Sequence, residues 1–425
     1  MSDNAKAPGA EAPGTGSQTG TKVGAVYYLD SAPQEEWKKD LADIRSAGMD
    51  HVIIGDMLSL SEALREDKEY FLHALDLCQS NGLNAFLEVF HAGLMTEQLP
   101  FHSLPDELIS RRFPAYRISM PKYRDEKGQD GFYYYVTMYG EVLPFFNLLS
   151  PTFREQWLLP YLGEVIAHYS SHPALAGYQF SEVLMSPEVV GYSAEDASEL
   201  RTWLKEKHGT LDRLNSVREE KADSWEEVEP PVLVGRWNPA WNDWNEFRRH
   251  QLIQWATQTA DFIRAKDPDP SHLLVLKDTR GHLTSHDPLG GYTRQMVKPF
   301  DAFIIDSYFE PRQLPTDDAA IQARSDIEMA KDLAPGKEVG WWAWTGFKTH
   351  RPYAELGEPA FPDPQDIIRV ADAALSAGAS RLVYYVFRRP LFPGDVYPVK
   401  QAFYYHREEL AAIAKFNRQI TSRTR

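Results

Sequence analysis

Acidic side chains close several short apolar runs of this 425-residue chain, and the clearest is Glu182, at the end of AGYQFSE. A carboxyl group at the end of a buried strand is partly desolvated, which raises its pKa toward the working pH and lets it give and take a proton. Glu88, Asp278 and Asp306 stand in similar places in NAFLEVF, HLLVLKD and DAFIIDS, and Glu310 follows shortly after Asp306. Two carboxylates brought together by the fold could cleave an acetal, one protonating the leaving oxygen and the other attacking the carbon or activating water. A separation of about 5–5.5 Å would retain configuration and about 6.5–9.5 Å would invert it. Each of these groups has an ordinary alternative: capping the next segment or pairing with a loop Arg for Glu182, and a salt bridge or loop hydrogen bond for the others.

Aromatic residues accompany the carboxylates. Trp341, Trp342 and Trp344 lie on one run, Tyr133 to Tyr135 in a long connection, and Tyr308 and Phe309 after the run that holds Asp306. Such rings give large contact area at small entropic cost and stack on the apolar faces of pyranoses. Alternation favours core packing for Trp341, whereas Trp344, last on its run, is the better sugar platform. Ser181 and His91 are placed to hydrogen-bond a hydroxyl, and Arg388, just after the last run, to hold a hydroxyl or an acidic group. No HxH or HExxH spacing appears, and His282 and His286 would converge only if their loop were helical, so neither metal nor cofactor is expected. The single cysteine, Cys78, falls in a segment with helical spacing and reads as a buried thiol.

Positioning these residues falls to a βα alternation that begins at Val23. Eight β-rich runs are expected: Val23 to Leu29, His51 to Gly55, Asn84 to Phe90, Ala176 to Ser181, His272 to Lys277, Asp301 to Ser307, Glu338 to Trp344 and Arg381 to Phe387. Several are nearly continuously apolar, as parallel strands covered on both faces must be. The count of eight, and the aromatics at their C-terminal ends, point to an α/β fold closed as a (β/α)8 TIM barrel. Helices are expected over Gln34 to Ala47, opened by Pro33 and followed by Gly48, and over Asp366 to Ser376, followed by Gly378. Two connections are long, His91 to Pro151 after the third strand and Leu184 to Asp243 after the fourth, and connections of that length usually carry function.

Residues 1–22, rich in Gly, Ala, Pro, Ser and Thr, read as a disordered leader before one barrel domain over 23–425. They contain no apolar run, so no signal peptide or membrane anchor is expected there, and a cytoplasmic location is the default unless such a signal has been removed. A net charge of −16 with no dense Lys/Arg stretch argues against nucleic acid as a partner. Hydrophobic residues at 43% place the chain with globular proteins rather than disordered or membrane ones.

YQFSE, preceded by HPALAG and followed by LRTWLKEKHGTLDRLN, resembles the β-galactosidases of glycoside hydrolase family 42, within the retaining (β/α)8-barrel clan. Asp30 to Trp37 and IRSAGMDHVIIGD are similar to the first two βα units of that family, WNDWNEFRRHQLIQWATQTADFIRAKDP to its helix before strand five, DAFIIDSYF to its sixth strand and GASRLVYYVFRR to its eighth. The resemblance implies a glycosidase acting on a carbohydrate, with Glu182 as general acid and base, and is compatible with a homo-oligomer, since the family often forms trimers. It also singles out Asp306, because the family keeps an aspartate and a tyrosine where Asp306 and Tyr308 stand. The chain departs from the pattern in three ways: Ser181 replaces the usual Asn before Glu182, the zinc-binding cysteine cluster is absent, and EVGWWAWTG offers no glutamate where the family's strand-seven nucleophile falls, near Ala343 or Trp344. Glu338 begins that strand and so belongs to the opposite end. A barrel that binds sugar without cleaving it is the alternative that this last departure raises.

Overall fold

The computed structural model describes residues 20–55, 67–91, 149–183, 193–219, 221–231, 238–279, 293–307, 315–345, 363–388 and 406–422, with the backbone of three short strands between 122 and 144. Eight parallel strands close into a barrel in chain order: β1 (Lys22–Tyr28), β2 (His51–Gly55), β3 (Asn84–His91), β4 (Leu175–Ser181), β5 (Leu273–Thr279), β6 (Ala302–Asp306), β7 (Glu338–Trp344) and β8 (Arg381–Arg388), which returns to β1. All eight expected runs are present, within two residues at each end. The barrel wall divides their side chains by alternation. Val23, Ala25 and Tyr27 of β1 pack outward with the helices, while Val26 and Tyr28 join Ile53, Phe86, Val275, Ile304, Trp342 and Val383 in the interior.

The ring of helices covers the outward set. Helix α1 (Gln34–Ser46) carries Glu35 and Glu36 in its first turn, where they meet the helix dipole favourably, and ends before Gly48 at φ +81°. The longer helices that follow are α2 (Lys68–Ser80), α3 (Leu159–Tyr169), α4 (Ala194–His208), α5 (Leu211–Val217), α6 (Pro239–Lys266), α7 (Thr316–Leu333), α8 (Pro364–Ser376) and α9 (Arg407–Ser422), of which α4 and α5 stand off the barrel. Helix α9 locks the end of the chain to its beginning, since Asn417 accepts from the Tyr384 hydroxyl of β8 (2.9 Å) and donates to the Ala47 carbonyl after α1 (3.0 Å).

The long connection after β4 forms a satellite. Ser193 and Asp196 make a capping box that starts α4, and Leu200, Leu204, Leu214, Trp241, Trp244 and Phe247 form a small core of their own. Helix α6 serves both bodies. At 28 residues it is about 42 Å long, so its first half packs in the satellite and its second half, through Leu252, Trp255, Ala260 and Ile263, on the barrel. The connection after β3 contains a three-stranded antiparallel sheet, Lys122–Arg124, Asp130–Val136 and Val142–Pro144. The first nineteen residues, most of the expected leader, lie outside the described residues.

Candidate active site

At the C-terminal end of the barrel, alternation turns inward-parity residues near the end of each strand toward the axis. These residues are Tyr28 of β1, Gly55 of β2, Glu88 of β3, Ser181 of β4, Lys277 of β5, Asp306 of β6, Trp342 and Trp344 of β7, and Tyr385 of β8. On β3 a register irregularity between Glu88 and Phe90 lets both Val89 and Phe90 pack outward, after which His91 faces the site. Glu182 follows Ser181, so plain alternation would aim it at the helices. Its φ of +57°, a left-handed backbone uncommon outside glycine, re-aims it over the barrel mouth. The Glu182 amide remains tied to β5 by donating to the Lys277 carbonyl (2.9 Å).

Lys277 is the centre of this arrangement. Its ammonium lies 3.0 Å from Glu182 Oε1 and 2.7 Å from Asp306 Oδ2, and sits over the Trp342 ring at 4.9 Å. Those two contacts, 3.0 and 2.7 Å, bound the separation of the two carboxylate oxygens at 5.7 Å. Asp306 is fully buried and the Lys277 side chain 4% exposed, whereas the Glu182 side chain keeps 21% of its surface. Glu182 is therefore the member of the trio that solvent or a ligand reaches. His91 Nε2 stands 3.8 Å from the same Glu182 oxygen.

Glu88 anchors the neighbouring wall. Ser181 Oγ donates to Glu88 Oε1 at 2.5 Å and Gln179 Nε2 donates to it at 3.2 Å. Oε2, buried and without a hydrogen-bond partner, faces Gly55, where a β-carbon would come within 3.2 Å of it. Tyr28 and Tyr385 meet edge to face at 6.3 Å, and burial, reinforced by Glu88, Tyr385 and Glu182, pushes the Tyr28 phenol well above its ordinary pKa and keeps it neutral. Tyr385 also stacks on Trp342 at 5.6 Å and on Trp344 at 5.7 Å, so β7 and β8 together make an aromatic wall that begins beside Asp306, the register partner of Trp342.

The residues expected from sequence thus separate into groups. Glu182, Asp306, Ser181, Glu88 and His91 converge, and Trp344, 8% exposed, joins the aromatic wall. Ser181 is already engaged, donating to Glu88. Asp278 stands apart, because it shares the outward face of β5 with Leu274 and Leu276 and is fully buried there. Arg388 also stands apart: its Nη2 donates to Glu36 Oε2 (2.6 Å) and Asp40 Oδ1 (2.9 Å) on α1, in a buried cluster with the Tyr27 hydroxyl. Tyr308 and Glu310 lie outside the described residues, as do His282 and His286. At the end of β7 the backbone amide and hydroxyl of Thr345 both donate to the Tyr385 carbonyl, and among the described residues no carboxylate stands there. Glu338 is at the far end of the barrel, bonded to Lys22 and Arg381. Among the described residues no group of three or more His, Cys, Asp or Glu is arranged to hold a metal.

Sequence reasoning passed over Lys277, Gln179 and Tyr385. For Lys277 the signal was present: in LLVLKD it has the parity of Leu273 and Val275, a charge on the inward face of an apolar strand.

A closed (β/α)8 barrel with its acidic groups gathered at the C-terminal rim is the architecture of barrel enzymes. The profile of the β-galactosidase family, glycoside hydrolase family 42, matches residues 144–395, more than half of the chain. The chain belongs to this family. β-Galactosidase Bga of Halorubrum lacusprofundi is 25% identical over 264 residues, covering 58% of this chain and 34% of its own length. BbgII of Bifidobacterium bifidum is 21% identical over 387 residues, 88% of this chain and 50% of its own. The β-galactosidase of the psychrophilic Marinomonas ef1 superposes with a TM-score of 0.67 at 19% identity, over 94% of this chain and 59% of that one. The chain therefore spans between a third and a half of the length of these curated relatives.

Proposed function

We propose that the chain cleaves a glycosidic bond in a β-galactoside-like substrate bound at the barrel mouth, with Glu182 as general acid and then base and Asp306 as the second carboxylate. The observation that carries this reading is the pairing of Glu182 and Asp306 through Lys277, with their oxygens no more than 5.7 Å apart. An oxygen separation of at most 5.7 Å admits the about 5–5.5 Å of a retaining pair and falls short of the about 6.5–9.5 Å of an inverting one. In such a reaction Glu182 gives its proton to the leaving oxygen as the bond to the anomeric carbon breaks, and the second carboxylate bonds to that carbon. Water, deprotonated by Glu182, then displaces the carboxylate and restores both groups. The wall of Trp344 and Tyr385 offers the sugar an aromatic surface.

One observation favours a second reading. The end of β7 carries Trp344 and Thr345 where the family resemblance places a glutamate, and Asp306 is wholly buried beneath Lys277. A barrel in this state could bind sugar and leave it intact.

Hydrolysis of p-nitrophenyl β-galactoside and a panel of other aryl glycosides, with the anomer of the first product followed by proton NMR, separates the readings. Release with retention, impaired by Asp306→Asn, is the expected result. Release with inversion would replace the covalent step by attack of water, and undiminished rates in Asp306→Asn would remove Asp306 from the mechanism. Sugar binding without release from any substrate would establish the second reading.

A further inference from the structure

Lys277 lies on β5, between the strands that carry Glu182 and Asp306, and no part of the resemblance assigns it a role. Its surroundings are charged on two sides and closed on a third. Glu182 faces it from β4, Asp306 from β6 and the Trp342 ring from β7. Beyond this first circle stand Glu88 and His91 of β3, Tyr28 of β1 and Tyr385 of β8; His91 Nε2 lies 3.8 Å from Glu182 Oε1. Burying either an ammonium or a carboxylate alone is costly, so Lys277 and the fully buried Asp306 stabilise each other's charged forms. Two carboxylates this close resist being ionised together, and when their environments differ their protonation states separate. The environments do differ here: Asp306 is 0% exposed and nearer the ammonium, while Glu182 keeps 21% of its side-chain surface and the longer contact.

We propose that Lys277 is the positioning residue of this site, bridging the two carboxylates so that buried Asp306 stays ionised while solvent-reaching Glu182 handles the proton. The proposal rests on the hydrolytic reading for its consequence in turnover, but the pairing itself is testable without turnover. Lys277→Met and Lys277→Gln in the full chain should lower kcat on p-nitrophenyl β-galactoside about 100-fold or more with KM changed less than about threefold, as expected when proton transfer and not binding is lost. The acidic limb of the pH–rate profile should move up by about one unit, because loss of a neighbouring cation makes a carboxylate harder to ionise. Lys277→Arg should recover about tenfold of the lost turnover by restoring the charge. Variants that lose turnover with the wild-type pH profile would show a merely structural lysine and overturn the proposal. If the wild type releases nothing from any substrate, the hydrolytic reading fails by itself and an infrared titration of chain labelled with carboxyl-13C aspartate decides the pairing. The Asp306 band, identified by its loss in Asp306→Asn, should protonate at higher pH in Lys277→Met or Lys277→Gln; an unmoved band overturns the proposal.

Discussion

The two ends of the barrel each bury ionic groups, and they do so with opposite ratios. At the N-terminal end one carboxylate has two cations: Glu338 accepts from Lys22 (2.8 Å) and from Arg381 (2.6 Å). Arg381 also lies over the Phe86 ring at 4.8 Å, and His51, neutral because burial and then Arg381 depress its pKa, packs against the same ring. At the C-terminal end, among the described residues, one ammonium serves two carboxylates, and a third, Glu88, meets neutral donors on Oε1. A carboxylate with cations to spare is held in one state. A cation shared among carboxylates leaves room for a proton to come and go. The first arrangement suits stability and the second the chemistry proposed for that end, in line with the division of labour between the two faces of barrel enzymes.

The largest expected effect is at the chemical end. Glu182→Gln keeps shape and removes the proton, so turnover should fall by about 100- to 10,000-fold. Its thermal midpoint should stay within a few degrees of wild type, because the side chain is partly exposed and Lys277 keeps Asp306. Steady-state rates on the best aryl glycoside and a thermal melt check both halves. Full activity in Glu182→Gln would break the contrast between the ends.

The converse belongs to the other end. Glu338→Gln leaves Lys22 and Arg381 facing an uncharged partner and should cost about 3 kcal/mol of stability with kcat unchanged. Burial alone would raise the Glu338 pKa, but Arg381 and then Lys22 outweigh it and hold the carboxyl below its ordinary value of 4.5. A depressed folded-state pKa contributes stability that is fully present above the unfolded value and is lost as pH falls through the folded one. The gap in urea midpoint between wild type and Glu338→Gln should thus be widest at neutral pH and close below pH 4.5. A gap that does not change with pH would mean that the contact contributes through packing and not charge.

How far this contrast could be read in the sequence turns on parity. The strands were legible because parallel strands buried on both faces are apolar throughout, and His51–Gly55 and Glu338–Trp344 lie where their composition puts them. Glu182 was legible as a carboxylate at a strand end, and Glu338 as one at the wrong end. Lys277 and Asp278 show what was lost: they are adjacent, both charged, and only alternation from Leu273 and Val275 says that the lysine enters the barrel and the aspartate leaves it. Arg388 misled for a related reason. It closes β8, but the space it enters belongs to Asp40 and Glu36 of α1, a contact 348 residues away in the chain that no local pattern announces. Glu182 defeats parity altogether, since a single left-handed residue overrides alternation.

The smallest expected effect concerns the aromatic wall and sharpens the comparison most finely. Trp341 and Trp344 share a strand, yet Trp341 faces the outer helices at 1% exposure and Trp344 stacks on Tyr385 at the mouth at 8%. Trp344→Phe keeps a ring against Tyr385 but loses part of the surface that a sugar would meet. KM should rise about three- to tenfold, the scale of roughly 1 kcal/mol from a lost aromatic contact, with kcat little altered. The same change at Trp341 should leave KM alone and lower the thermal midpoint, since a cavity opens in the outer core. If Trp344→Phe behaves as Trp341→Phe does, Trp344 is packing, and the two ends of the barrel differ in their charges alone.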